Sequence, residues 1–270
     1  MTERPARAPE PVPGPAASAG PRRRSRWRIA LAIIGIALLV GFGVAVWWLQ
    51  PQPLLPEARA AMTSTDTVAF SQDKGWLEFR PTEADPKIGL ILYPGGKVEP
   101  AGYARSAQAI AEQGFLVVIV PMPLNLAVLG ADRATDVIAA YPEIERWAIG
   151  GHSLGGAMAG QYADRHPDAI GGIAFWASFP NGDLSDQPGL ASVSVYGSLD
   201  GGAARFGSTE TMATLPEGTH VVVIDGGNHE QMGDYTGQPN DPPATISRDD
   251  QQARVQAVTI EMLQQLAATD

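Results

Sequence analysis

Hydrophobic and polar positions divide the chain into a segment with one long apolar run and a longer part built from short elements. Ile29–Leu49 contains no charged residue, and a helix of that length is about enough to cross a ~30 Å hydrocarbon core. From about Thr65 the pattern changes to short β-rich runs that alternate with helical stretches. The sequence therefore predicts a transmembrane helix at residues 29–49 and a globular domain at residues 65–270, joined by a proline-containing linker at residues 50–64.

Eight short runs in the globular part are typical of β-strands. Val68–Phe70 and Trp76–Arg80, joined by a turn at Asp73-Lys74-Gly75, predict an opening hairpin. The six later runs are mostly apolar, which is typical of strands that are covered on both faces. These runs are Ile88–Tyr93, Leu116–Val120, Trp147–Ile149, Gly172–Trp176, Val193–Tyr196 and Val221–Ile224.

Helical patterns separate most of these runs. The last of them has a start signal, because Ser247 is followed three residues later by Asp250 as in a capping box. Strands and helices that alternate in chain order predict a mainly parallel sheet with helices on both faces. In such a sheet, reactive groups gather at the carboxyl ends of the strands. The predicted helices are Tyr103–Gln113, Arg133–Tyr141, Gly155–Arg165, a short one near Gly207–Leu215, and Asp249–Ala267.

The residues that flank the apolar run predict its orientation. Residues 1–28 hold seven Arg and two Glu, a net charge of +5. They contain too few large apolar side chains for a core, so we expect a disordered basic tail in the cytoplasm. Trp27 and Trp47–Trp48 stand at the two ends of the run, where aromatic rings favour the membrane–water interface. The prediction is a single-pass signal anchor in the cell membrane, with the globular domain outside the cytoplasm.

A cleaved signal peptide is the alternative interpretation of the apolar run. Ala58-Arg59-Ala60 resembles a cleavage site. The apolar region of a signal peptide has roughly 7–15 residues, however, and Ile29–Leu49 is longer. The length therefore favours the anchor.

Charge and composition exclude several classes of partner and cofactor. Residues 29–270 hold 12 basic and 27 acidic residues, a net charge of −15, which would repel a nucleic acid backbone. The chain has no cysteine, so disulfides and cysteine-based metal or redox chemistry are excluded. Histidines and carboxylates do not cluster at ligand spacing, and the sequence predicts neither a metal nor an organic cofactor.

A serine between glycines follows the predicted strand Trp147–Ile149. The chain reads Gly150-Gly151-His152-Ser153-Leu154-Gly155-Gly156 and continues as a predicted helix. A serine on a sharp strand-to-helix turn needs small neighbours, and the turn exposes its Oγ above the sheet. Ser153 is therefore the candidate nucleophile, and Leu154 N–H is a candidate donor to a developing oxyanion.

The hydroxyl of a serine nucleophile needs a base to take its proton. Among the four histidines, His152 belongs to the turn and is expected to pack, His166 follows a helix, and His220 begins a strand. His229 lies in a glycine-containing loop just past the last predicted strand, at the end where a base is needed. His229 is the candidate base.

An acid must fix the tautomer of that histidine. Asp200 lies on the loop after the seventh predicted strand, and the order Ser153, Asp200, His229 is typical of one class of hydrolases. Asp183, after the preceding strand, is the alternative acid. Asp225 is less suitable because it stands on the same strand end as the histidine.

Two further segments are candidates for contact with a substrate. Pro94-Gly95-Gly96-Lys97 follows the third strand, and its glycines let the main chain approach a ligand. Gly96 N–H is the candidate second oxyanion donor and Lys97 N–H is the next choice. Met122–Leu126, at the end of another strand, is a candidate apolar surface for an acyl group, although core packing would explain its leucines equally well.

Four segments resemble a small bacterial α/β-hydrolase of the dienelactone-hydrolase-like, or carboxymethylenebutenolidase-like, group. They are Gly89–Lys97, Gly150–Gly156, Tyr196–Asp200 and Gly226–His229, within about residues 86–268. The resemblance implies an α/β-hydrolase fold and the triad named above. Dienelactone hydrolases proper carry cysteine where this chain has serine, so the lactone substrate is not carried over. Only residues 178–190 separate the sixth and seventh strands, which predicts an open site without a cap domain.

Together these residues predict a serine hydrolase. Ser153 would attack an acyl carbonyl, His229 would take and return the proton, and water would release the acyl-enzyme. The expected substrate is a small carboxylic ester or thioester. An acyltransferase that uses the same site is one alternative, and a catalytically idle scaffold that binds a partner at the cell surface is another.

Overall fold

The computed structural model describes Gly14 and residues 24–268. The predicted basic tail at residues 1–28 therefore lies outside the described residues, except for its last five residues and one glycine. The chain forms two compact units, the first ending at Trp48 and the second beginning at Leu49.

In its described part, the first unit is one helix, α1 (Arg24–Trp48). It begins before the predicted start at residue 29, because the arginine-containing residues 24–28 continue the same helix. Its stretch Trp27–Trp48 has a mean hydropathy of 2.8, and it is the one helix among the described residues that is long and apolar enough to cross a membrane. A signal sequence near the N-terminus can also form a helix that meets this criterion of length and hydropathy.

The second unit contains an eight-stranded sheet in the order β1-β2-β4-β3-β5-β6-β7-β8. β1 and β2 form the predicted hairpin, and β2 also pairs antiparallel with β4. From β3 to β8 every pairing is parallel, so the prediction of a mainly parallel sheet is confirmed. The strands are β1 (Val68–Ser71), β2 (Leu77–Pro81), β3 (Ile88–Tyr93), β4 (Leu116–Ile119), β5 (Arg146–His152), β6 (Gly172–Trp176), β7 (Ala191–Gly197) and β8 (His220–Ile224).

Helices cover both faces of this sheet, as the alternating elements predict. The remaining helices are α2 (Pro56–Ala60), α3 (Ala104–Ala111), α4 (Ala134–Ala140), α5 (Leu154–Arg165), α6 (Ala203–Phe206), α7 (Thr209–Met212) and α8 (Arg248–Ala268). The core beneath α3 and α8 includes Leu90 and Leu92 of β3. The core beneath α4 and α5 includes Ile91 and Tyr93 of the same strand. Successive side chains thus enter opposite cores, which explains why the strand is apolar throughout.

Two connections define the edge of the sheet where the strands end. Residues 177–190, between β6 and β7, form no helix or strand, so the prediction that no cap domain follows β6 is confirmed. The loop from residue 233 to 247 connects the short turn after β8 to α8. At the start of α8, Asp250 N–H donates to Ser247 Oγ at 3.0 Å, as the capping-box pattern predicts.

Residues 50–64, predicted as a linker, are packed onto the second unit. Leu54 pairs with Tyr235 in an isolated β-bridge. Pro56 begins α2, at a position where the missing N–H of a proline costs no hydrogen bond. Ala58 of this helix is fully buried. The prolines that indicate a spacer in the sequence thus lie in a segment that is part of the folded unit.

Candidate active site

Ser153 lies between β5 and α5 in a backbone conformation that residues other than glycine rarely adopt. Its φ and ψ angles are 52° and −120°. The strand ends at the residue before it and the helix begins at the residue after it. A non-glycine residue with such a positive φ costs on the order of 1–3 kcal/mol. Surrounding contacts must therefore hold the turn in place.

Two hydrogen bonds from β6 and its continuation hold this turn. Ser153 N–H donates to Trp176 O at 3.0 Å. The buried Ser178 donates its Oγ–H to Ser153 O at 2.6 Å. Ser178 was not singled out in the sequence, although it follows a strand end at the edge where functional residues gather. Its role depends on a partner 25 residues away, which no local pattern indicates.

Glycine is required on both sides of Ser153 because the main chain at the end of β3 lies close to the turn. A Cβ atom at Gly151 or at Gly155 would overlap Tyr93 O, at the end of β3. This oxygen belongs to the main chain and cannot rotate away as a side chain could. The G-x-S-x-G spacing is thus explained by the packing of the turn against β3.

His229 and Asp200 are brought together from the ends of two neighbouring strands. His229 Nδ1 lies 2.8 Å from Asp200 Oδ2. The Asp200 side chain is 2% exposed, and its Oδ1 accepts a hydrogen bond from Gly202 N–H at 2.7 Å. A carboxylate that accepts from Nδ1–H leaves Nε2 as the ring atom able to accept a proton.

Asp241 fixes the main chain at the histidine. Its Oδ1 accepts from His229 N–H at 3.1 Å, and its Oδ2 accepts from Glu230 N–H at 2.8 Å. Burial raises the pKa of Asp241, and the nearby Asp200 carboxylate acts in the same direction. Sequence reasoning did not identify this residue, because it lies in a loop without periodic pattern, 12 residues from the histidine.

His152 is buried against the ring of His229, with ring centroids 4.4 Å apart. Its Nδ1 lies 2.8 Å from Tyr103 Oη, which also accepts a hydrogen bond from Gly95 N–H at 3.0 Å. Burial holds the pKa of His152 well below its usual range, and the neighbouring His229 lowers it further. The histidine of the turn is therefore neutral at pH 7 and packs, as the sequence indicates.

The three predicted oxyanion donors differ in whether the fold already occupies their N–H groups. A Cβ atom at Gly96 would lie 3.4 Å from Leu154 Cδ2, so these residues are neighbours. Within residues 24–268, neither Gly96 N–H nor Leu154 N–H donates a hydrogen bond. Lys97 N–H, by contrast, donates to Asn125 O at 2.7 Å. The expectation of Lys97 N–H as an oxyanion donor is wrong, because a neighbouring loop occupies it.

Ser153, Asp200 and His229 line one cleft of about 320 Å³. One wall comes from the segment after β7 and the opposite wall from the loop after β8. Met122–Leu126, the candidate acyl surface, is not part of this lining, and Leu124 is 59% exposed to solvent. The remaining lining residues are Gly201, Gly202, Phe206, Gln238, Pro239, Asn240 and Asp241.

The two alternative acids lie elsewhere. Asp183 Oδ1 accepts hydrogen bonds within its own turn, and Asp225 Oδ1 accepts from Ser198 Oγ–H at 3.2 Å. Asp200 is the one of the three candidates that is bonded to His229. In the part of the chain that the structure describes, no group of three or more His, Asp or Glu side chains could hold a metal ion.

A sequence model of the alpha/beta hydrolase family matches residues 89–253 of this chain. The matched range includes Ser153, Asp200 and His229. A search of curated proteins gave no match.

Three solved hydrolase structures are similar in fold. A protein described as a predicted CIB-like hydrolase from Thermoplasma acidophilum has a TM-score of 0.52 at 17% identity, over 73% of this chain and 96% of that one. An S-formylglutathione hydrolase from Agrobacterium tumefaciens has a TM-score of 0.50 at 13% identity, over 76% and 98%. Thermogutta terrifontis esterase 2, in a form phosphoramylated by tabun, has a TM-score of 0.51 at 12% identity, over 77% and 98%.

The sheet order, the family match and these similarities of fold agree with one another. The family model covers more than half of the chain, and each of the three structures is similar in fold over 73–77% of it. The chain belongs to the alpha/beta hydrolase family.

Proposed function

We propose that the protein is a membrane-anchored serine hydrolase that cleaves carboxylic esters or thioesters through an acyl-enzyme. One arrangement carries the proposal: Ser153 on its strained turn shares a cleft with a histidine whose Nδ1 lies 2.8 Å from a buried aspartate. A serine, a base and an acid that orients the base are the parts of a nucleophilic triad.

The chemistry follows from the positions of these groups. Ser153 Oγ attacks the acyl carbonyl while His229 Nε2 takes the hydroxyl proton, and the resulting imidazolium is stabilised by Asp200. The oxyanion accepts hydrogen bonds from Leu154 N–H and Gly96 N–H. His229 then returns the proton to the leaving group, and water repeats the sequence to release the acid.

The charges in the cleft indicate which esters fit. Asp200 and Asp241 both line it, and no Lys or Arg side chain stands among its lining residues. An anionic acyl or leaving group would be repelled by these carboxylates in a partly dry site. We therefore expect an ester or thioester that carries no negative charge as substrate.

The anchoring part of the proposal depends on α1. Its apolar stretch of 22 residues would span the bilayer, and the arginines before it favour a cytoplasmic N-terminus. The hydrolase unit would then stand outside the cytoplasm and act as a single-pass protein of the cell membrane.

Hydrolysis of p-nitrophenyl esters of increasing acyl length tests the enzymatic part. We expect Ser153→Ala to lower kcat/KM by at least about 10³-fold, because the nucleophile is lost while binding remains. Ser185→Ala is the matched control, since that serine is exposed and outside the cleft. If Ser153→Ala hydrolyses the esters at the wild-type rate, the proposal is refuted.

A further inference from the structure

One loop of the second unit exposes an unusual share of apolar surface. Leu124, Val128 and Leu129 are 59%, 57% and 52% exposed, and they are three of the five large apolar side chains exposed within residues 49–268. We call Pro123–Leu129 the apolar loop; it consists of two short 3₁₀ turns. Apolar side chains that are exposed together mark contact with another apolar surface.

The sequence of the apolar loop and its neighbours along the chain also lacks charge. Residues 113–131 contain no charged side chain, whereas residues 29–270 as a whole carry a net charge of −15. In space, charged side chains do lie beside the loop, because Val128 and Leu129 line one pocket with Asp132, Arg133, Asp136 and Arg165. Such groups can stay in the hydrated part of an interface while the apolar side chains contact its apolar part.

The exposed Leu124 lies in a strained part of the main chain. The φ angle is 53° at Leu124 and 53° at Asn125. Asparagine tolerates this conformation, but leucine adopts it rarely. Such strain persists where the surrounding structure holds it, and it is concentrated at functional sites.

The apolar loop is joined to the segment by which the chain enters the second unit. Lys97 N–H donates to Asn125 O at 2.7 Å, and Gln52 N–H donates to Lys97 O at 2.7 Å. Gln52 stands four residues after Trp48, where the apolar helix ends. Four residues span roughly 14 Å at full extension. If α1 is in a bilayer, this short tether keeps Gln52 close to the bilayer surface.

We propose that the apolar loop rests on the lipid surface, with the side chains of Leu124, Val128 and Leu129 in its interfacial region. The inference rests on the membrane attachment proposed above. A lipid surface is favoured over a second copy of the chain or a peptide, because the segment that is connected to the loop through Lys97 follows the apolar helix α1 directly.

This contact narrows the substrate class. The loop follows β4, and the cleft is built at the ends of β5, β7 and β8, which run parallel to it. The carboxyl ends of parallel strands share one edge of the sheet, so the edge that carries the cleft is also the edge held at the lipid. The substrate is then an uncharged ester that dissolves in the bilayer.

Single labelled cysteines test the contact, since the chain has none of its own. An environment-sensitive fluorophore is attached to Leu124→Cys or Val128→Cys in the full chain, in phosphatidylcholine vesicles that contain a nitroxide-labelled lipid. Met212→Cys and Val223→Cys are matched controls, because both are exposed apolar positions elsewhere on the unit. We expect blue-shifted emission and several-fold stronger quenching at the two loop positions.

Three other outcomes would overturn the inference. Equal quenching at all four positions, in chains that float with the vesicles, would overturn the lipid contact alone. Emission at Leu124→Cys that shifts with the protein-to-lipid ratio but is not quenched by the lipid would indicate a second copy instead. Failure of the chain to float would overturn the membrane attachment together with this inference, while ester hydrolysis would still test the triad separately.

Discussion

Replacing Asp200 by asparagine separates the chemical role of its charge from its role in the fold. The side chain is 2% exposed and its Oδ2 lies 2.8 Å from His229 Nδ1. Asparagine has the same shape and can still accept from Gly202 N–H through one oxygen. Its amide group would face the ring nitrogen and favour the tautomer in which Nε2 carries the proton. That tautomer cannot accept the proton of the serine.

The size of the effect follows from the distance. At an effective dielectric constant of about 20, unit charges 2.8 Å apart interact by roughly 6 kcal/mol. Because each 1.36 kcal/mol is tenfold in rate, the loss of this stabilisation in the transition state corresponds to about 10⁴-fold in kcat. We expect Asp200→Asn to lower kcat by about 10³- to 10⁴-fold with little change in KM, since the interaction strengthens only as the imidazolium forms.

The assay measures kcat and KM on p-nitrophenyl acetate with the full chain in detergent micelles. Thermal unfolding of the same samples verifies that each variant is folded. Asp183→Asn and Asp225→Asn are the controls, because neither aspartate contacts the histidine. If Asp200→Asn stays within about tenfold of the wild-type kcat, or if Asp183→Asn loses as much, the assignment of the acid is refuted.

Three further predictions concern the turn and the buried histidine. Ser178→Ala removes a 2.6 Å hydrogen bond and should lower the free energy of unfolding by about 1 kcal/mol in urea titrations. An unchanged free energy of unfolding would contradict the conclusion that Ser178 stabilises the turn at Ser153. Gly155→Ala should prevent folding, as followed by circular dichroism, because its Cβ would overlap the main-chain oxygen of Tyr93. Gly201→Ala is the control and should fold, because a Cβ there makes only an ordinary contact. Because the pKa of His152 is depressed in the folded state, the unfolded state binds more protons below about pH 6.5, and stability should fall there by up to ~1.4 kcal/mol per pH unit. His152→Gln should flatten this slope in urea titrations at several pH values. Equal slopes in wild type and His152→Gln would refute the argument.

Much of the fold follows from local patterns in the sequence. The strand Gly172–Trp176 is found with its predicted bounds, because a short continuous apolar run between turn residues is typical of a strand that is covered on both faces. The proximity of the candidate serine, acid and histidine likewise follows from the carboxyl ends of parallel strands, which gather at one edge of the sheet. The narrower resemblance to dienelactone-hydrolase-like proteins stays a prediction.

The features that the sequence did not reveal depend on contacts between distant residues. Two such contacts are the hydrogen bond from Ser178 Oγ–H to Ser153 O and the bond that Asp241 accepts from His229 N–H. Both join loops that have no periodic pattern. The N–H of Lys97 is taken by Asn125, which a glycine-rich motif alone does not indicate. Residues 50–64 pack because Leu54 and Ala58 find apolar partners on the domain, although their prolines resemble those of a free spacer.

Labelling by a fluorophosphonate probe tests the central claim most directly, since the probe reacts with a serine only when a base and an oxyanion site activate it. The full chain is treated in micelles, and the modified peptide is identified by mass spectrometry. The account predicts one adduct, on Ser153, that is absent in Ser153→Ala and forms far more slowly in Asp200→Asn. No adduct on the wild type, or equal labelling of Ser153→Ala, would contradict it.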